Sequence, residues 1–118
     1  MVHNEDELLR PAVRGTLNIL DACKKHKVKK IIITSSIAAI MDVADEDKPQ
    51  KFDDSHWSET DHTDKFRTYN KSKTLAEKAA WDWLEKNKSC GLEMAVICPG
   101  VLLGPCYVGH MFTSGRII

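Results

Sequence analysis

The chain has 118 residues, of which 42% are hydrophobic and 29% charged. That is room for one small domain of ordinary globular composition. Lys+Arg and Asp+Glu balance at 17 each, which removes any general electrostatic case for nucleic acid or an anionic membrane as partner. No apolar run is long enough to span a bilayer, and the opening "MVHNEDELLR" is too polar and acidic for a signal peptide.

The first segment predicts a helix. Asn4 and Glu7 have the spacing of a capping box. Leu9, Ala12/Val13, Thr16/Leu17, Leu20 and Cys23 recur at helical spacing and make one apolar face. Pro11 suits a helix interior poorly, so it marks a kink or the true first turn. The lysine-rich "KKHKVKK" reads as a solvated helix end and turn, where cations suit the negative pole of the helix dipole.

"VKKIIITSS" follows. Three consecutive isoleucines bounded by polar residues suggest a strand buried on both faces, as in a parallel sheet. It ends in hydroxyls at Thr34, Ser35 and Ser36. Ligands of open α/β sheets bind at the carboxyl ends of strands. Ser36 could therefore serve a ligand, or could simply cap what comes next. Residues 37–65 show no clear periodicity. A loop of that length is usually functional or disordered, and Trp57 reads as the anchor that pins it, with a ligand wall as the alternative.

Helical periodicity returns from about Phe66 to Lys88, with Leu75/Ala76, Ala79/Ala80 and Trp83/Leu84 as the buried stripe. Gly91 is placed to end it. "LEMAVICPG" is a second strand, ending at Pro99 and Gly100. Two buried strands joined by a long helix should lie parallel, with a right-handed crossover. The pattern is α/β, about half of a doubly wound parallel sheet, forming a single partial domain over 1–118 with no internal boundary.

Four cysteines (Cys23, Cys90, Cys98 and Cys106) could make two disulfides. Cys98 falls in a buried strand and Cys23 on an apolar helix face, however, so a reduced, cytoplasmic chain is expected. No metal site is expected. The last three cysteines and His110 lack the short pairs of zinc sites, and the remaining histidines have no partner one turn away.

Within "RTYNKSKTLAEKAAWDW", Lys73 stands four residues after Tyr69. On a helix these side chains share a face. An ammonium beside a phenol favours the phenolate, and such a tyrosine can exchange a proton with a carbonyl-derived alkoxide. Ser36, at the end of the preceding strand, could hydrogen-bond the same oxygen. Hydride would have to come from a cofactor, since no side chain supplies it. Alone, Y-x-x-x-K is a weak motif, and a solvent-exposed ion-pairing face is the rival explanation.

Context changes those odds. "RPAVRGTLNILDACKK", "KIIITSSIAAIMD", "DDSHWSE", "YNKSKTLAEKAAW" and "VICPGVLLGP" stand in the order found in the extended short-chain dehydrogenase/reductases. The chain resembles in particular the group that holds dihydroflavonol reductases, cinnamoyl-CoA reductases and fungal methylglyoxal/ketone reductases. The resemblance implies an NAD(P)-binding Rossmann-type fold and reduction of the carbonyl of a small aldehyde, ketone or dihydroflavonol-like substrate. It implies NADP as cofactor, with NAD as the alternative. It casts Ser36 as catalytic serine and Tyr69 as general acid/base. Lys73 becomes the lysine that bridges to the nicotinamide ribose and favours the phenolate. Pro99, Gly100, Val101 and Leu102 match the segment lying against the nicotinamide, and Ser114 matches a further NADP contact by spacing alone.

The sequence departs from the family in several places. It has no glycine-rich G-x-x-G-x-x-G turn, so the resemblance is to the central part of a reductase. The isolated chain is then expected to bind NADPH weakly or not at all, to expose the apolar side chains that would face the missing elements, and to associate through an unpaired sheet edge or be only partly folded. Met41 stands where dihydroflavonol reductases usually carry a substrate-reading asparagine, and the cinnamoyl-CoA reductase signature is not matched by "RTYNKSK". The competing reading is a non-catalytic Rossmann-like binding or scaffold module. Filled catalytic positions favour the enzyme.

Overall fold

The computed structural model describes residues 4–44, 46, 48–61 and 67–104. Ser114, Cys106 and His110 lie outside them. The elements are α1 (Asp6–Lys25), β1 (Lys30–Thr34), a 3-10 turn (Ile37–Ala39), α2 (Thr68–Lys86), a second 3-10 turn (Lys88–Cys90) and β2 (Glu93–Ile97). No helix among the described residues is long and apolar enough to cross a membrane.

Helix α1 begins before Pro11 and runs through it. Asn4 does assist the start, but its Oδ1 accepts from the Asp6 backbone N–H at 3.1 Å, not from Glu7. The apolar stripe read from the sequence is the face that packs. Leu20 is fully buried, and Leu17 and Cys23 pack against the same core. Lys24 and Lys25 occupy the last turn, where cations complement the dipole.

Strands β1 and β2 pair in parallel, with Ile31 opposite Met94 and Ile33 opposite Val96. This is the α/β arrangement expected. Among the described residues the isoleucine run is covered on one face only, as expected of part of a doubly wound sheet. Ile31, Ile33 and Met94 pack against a core of Leu20, Ala80, Trp83 and Leu92, so α1 and α2 share one side of the sheet. On the other side Ile32 and Ile97 are 68% and 54% exposed. Alternation along a strand sends neighbouring side chains to opposite faces, and among the described residues only one face has helices upon it. Each strand also has one side without a strand partner among those residues.

Helix α2 is two unlike halves. Ala80 and Trp83 bury apolar surface, and the Trp83 indole N–H donates to Asp21 Oδ1 of α1 at 2.8 Å. The first half buries Thr68, Ser72, Thr74 and Glu77 instead, which hydrophobic periodicity did not foresee. Ser72 and Thr74 remain buried because their hydroxyls donate back to the carbonyls of Tyr69 and Asn70, at 2.7 and 2.8 Å. Gly91, with φ +69°, closes the 3-10 turn that follows α2, and not α2 itself.

Candidate active site

The hydrogen bonding of the sheet does not stop where the strands do. Ser35 N–H donates to the Ile97 carbonyl at 2.8 Å, and Ile37 N–H to the Pro99 carbonyl at 3.0 Å. The "TSS" and "PG" segments are thereby held side by side at the carboxyl end of the sheet. Gly100 adjoins Ile37, with the position of a Cβ there 3.6 Å from Ile37 Cδ1.

The two serines of "TSS" have different fates. Ser35 is buried, and its hydroxyl has no hydrogen-bond partner among the described residues. Ser36 caps the 3-10 turn, its Oγ accepting the Ala38 N–H at 3.1 Å. The capping role weighed for Ser36 in the sequence is thus real. It does not exclude a ligand role, because an accepting hydroxyl keeps its own proton to donate.

Helix α2 packs on the turn that Ser36 caps. Tyr69 lies in its first turn, 50% exposed, and Lys73 is half-buried one turn on. Neither side-chain tip has a hydrogen bond or ion pair among the described residues. Neighbouring lysines differ. Lys71 pairs with Glu5 at 3.2 Å, and Lys78 sits 5.1 Å from the centre of the Trp57 ring. Trp57 therefore anchors the long loop to α2. Val101 and Leu102, beyond the paired segment, are 55% and 64% exposed.

Sequence reasoning missed Asp42, Arg67, Asn70 and Ser58. Arg67 Nε donates to both Asp42 carboxylate oxygens at 2.8 Å, and Asn70 Nδ2 to Oδ2 at 2.9 Å. The Asp42 carboxylate raises the Arg67 guanidinium above its already high ordinary value, chiefly through that hydrogen bond. Buried Ser58 donates its hydroxyl to the Ala38 carbonyl at 2.9 Å and accepts the Asp42 N–H at 2.8 Å. The signal was faint: Asp42 and Ser58 are single polar residues in an aperiodic stretch, Arg67 and Asn70 are polar residues at the start of the next helix, and the partners lie far apart along the chain. A depression of about 280 Å³ lies here, lined by Ile37, Ala38, Met41, Asp42 and Asn70.

Cys98 is biased toward its protonated form. Burial pushes its thiol up, and the Glu77 carboxylate, to which it donates at 3.6 Å, pushes it further. Nearby Ser35 and Ser36 only partly offset this.

Comparison with known proteins places the chain. The model of the 3-beta hydroxysteroid dehydrogenase/isomerase family matches residues 1–106. The chain belongs to that family. Tetraketide alpha-pyrone reductase 1 of Arabidopsis thaliana is 39% identical over 103 residues, covering 86% of this chain and 31% of the relative. The bifunctional dihydroflavonol 4-reductase/flavanone 4-reductase of Pyrus communis is 37% identical over 112 residues, covering 91% and 31%. Among solved structures, the yeast methylglyoxal/isovaleraldehyde reductase Gre2 complexed with NADPH superposes with a TM-score of 0.79 at 33% identity, covering 91% of this chain and 34% of that one. The resemblance read from the sequence segments is borne out, as is the Rossmann-type fold. The chain spans about a third of the length of these relatives.

Proposed function

We propose that these residues form the proton-transfer side of an NADP(H)-dependent carbonyl reductase. Its substrate would be a small aldehyde or ketone, or a dihydroflavonol-like carbonyl. One observation carries the reading most strongly. The segments ending β1 and β2 are zipped together by hydrogen bonds, and the helix bearing Tyr69 packs on the turn capped by Ser36.

The residues fit a nicotinamide cofactor. Tyr69 and Lys73 present tips without partners among the described residues, as groups that meet ribose hydroxyls and a substrate oxygen must. The exposed apolar residues Val101 and Leu102 follow Gly100, which has no side chain to bar a flat ring. Tyr69, Lys73 and residues 99–102 would hold the nicotinamide end. Ser114 lies outside the described residues. When bound, the cofactor supplies hydride.

The chain's own part is proton handling. Tyr69 gives its phenolic proton to the carbonyl oxygen as negative charge develops there. Ser36, oriented by the Ala38 N–H, donates to the same oxygen and helps hold its charge. The Lys73 ammonium, one turn on, would stabilise the charge left on the phenolate. Asn at position 41 would read a polar substrate group; Met41, 41% exposed beside the depression, suits an apolar one.

NMR titration of the full-length protein with NADPH tests the reading. The amides of Tyr69, Lys73, Gly100, Val101 and Leu102 should shift together. Shifts confined to other regions, or none, would overturn it.

A further inference from the structure

Helix α2 starts without the usual local devices. Its N-cap position is Arg67, in a helical conformation, with no side-chain cap and no acid in the first turn. A helix N-terminus carries unpaired N–H groups and a positive dipole, so a negative group nearby is favourable. Here it comes from another part of the chain. Arg67 and Asn70 lie on either side of Tyr69, and both donate to the Asp42 carboxylate. The carboxylate side chain is 17% exposed and the guanidinium 28%, so the pair is partly shielded from water and better fixed than a surface ion pair.

Asp42 is itself held in place. Its N–H donates to Ser58 Oγ at 2.8 Å, and its carbonyl accepts the Glu59 N–H at 2.8 Å. Ser58 in turn donates to the Ala38 and Ala39 carbonyls, through Oγ at 2.9 Å and N–H at 2.8 Å. Ala38 N–H donates to Ser36 Oγ. A connected series of hydrogen bonds thus runs from the Ser36 hydroxyl, through Ser58 and Asp42, to the residues flanking Tyr69.

We propose that Asp42 is a positioning residue, which sets the Tyr69 hydroxyl relative to the Ser36 hydroxyl by clamping Arg67 and Asn70 to the turn that Ser36 caps. The proposal rests on the reading of Tyr69 as proton donor. A carboxylate is required because Arg67 Nε and Asn70 Nδ2 both donate to its oxygens and the Arg67 terminal nitrogen pairs with one of them. An amide would turn an NH₂ group toward one of them. The Lys71–Glu5 pair is the natural control, since it ties the same helix to the start of α1 and touches neither hydroxyl.

The test is a double-mutant cycle in the full-length protein, reading NADPH-dependent reduction of a small aldehyde. Misplacing a reacting group by about 1 Å can cost on the order of 10²-fold in rate. Asp42→Ala should therefore lower kcat by roughly 10-fold or more, with KM for NADPH within about 2-fold. In a Tyr69→Phe background the same substitution should add less than about 2-fold, because the group it positions has lost its proton. Glu5→Gln should change kcat by less than about 2-fold. Asn70→Ala, which leaves no charge unpaired, gives a second route should Asp42→Ala fail to fold, and should lower kcat several-fold with the same non-additivity. A wild-type kcat in both Asp42→Ala and Asn70→Ala, or equal losses in the two backgrounds, overturns the positioning role. Full activity of Tyr69→Phe overturns the proton-donor reading itself.

Discussion

The two halves of α2 obey different rules. From Ala80 onward it buries apolar side chains against α1 and the sheet, with Trp83 the largest of them. From Thr68 to Glu77 it buries hydroxyls and a carboxylate and is held by hydrogen bonds. One half secures the helix. The other carries Tyr69 and Lys73, the proposed proton-handling pair, on a stretch that buries polar side chains in place of apolar ones. A helix can carry chemistry at one end because its other end supplies the stability.

That contrast is broken most severely at the packed end. Trp83→Ala should cost about 3–5 kcal/mol in chemical denaturation, by leaving a cavity and an unpaired Asp21. Near-wild-type stability would mean that the core lies elsewhere. At the polar end, Lys73→Met should leave the denaturation midpoint close to wild type. It should weaken NADPH binding and turnover by on the order of 10-fold each, which calorimetry and steady-state kinetics would read. A large loss of stability there would make Lys73 a structural cation instead.

The sequence revealed the two halves unequally. The apolar stripe of α1 and the stretch around Trp83 were legible because burial follows the helical period. Tyr69, Lys73 and Ser36 were legible as candidates through their motifs. The polar burial at Thr68, Ser72, Thr74 and Glu77 was not, since nothing local distinguishes a buried threonine from a solvated one. Asp42 was hidden for a related reason, its partners being 25 and 28 residues away. The middle isoleucine of the run, exposed here, fits a strand that is buried on both faces only in a complete doubly wound sheet.

Smaller effects sharpen the comparison. Thr74→Val removes a buried hydroxyl but keeps the shape, and should cost about 1 kcal/mol. A loss well beyond that would mean the hydroxyl does more than satisfy the Asn70 carbonyl. Cys98 should alkylate more slowly than an unperturbed thiol of pKa 9.0, since burial and Glu77 both favour the protonated form. The shift is upward, so its contribution to stability is present below 9.0 and lost as pH rises through the folded value. Asp53 gives the opposite sign, in the exposed loop. Hydrogen bonds from Ser55 and His56 hold its carboxyl below the ordinary 3.8. Its turn should therefore persist above that value and loosen as pH falls through the lowered one, which loop amide shifts would follow.

The central claim is that Tyr69 delivers the proton. It is tested most directly by comparing wild type with Tyr69→Phe in NADPH-dependent reduction of a small aldehyde by the full-length protein, with unfolding measured alongside. The account predicts a fall in kcat of roughly 10²–10⁴-fold with the unfolding midpoint unchanged. Carbonyl reduction at the wild-type rate by Tyr69→Phe would contradict it.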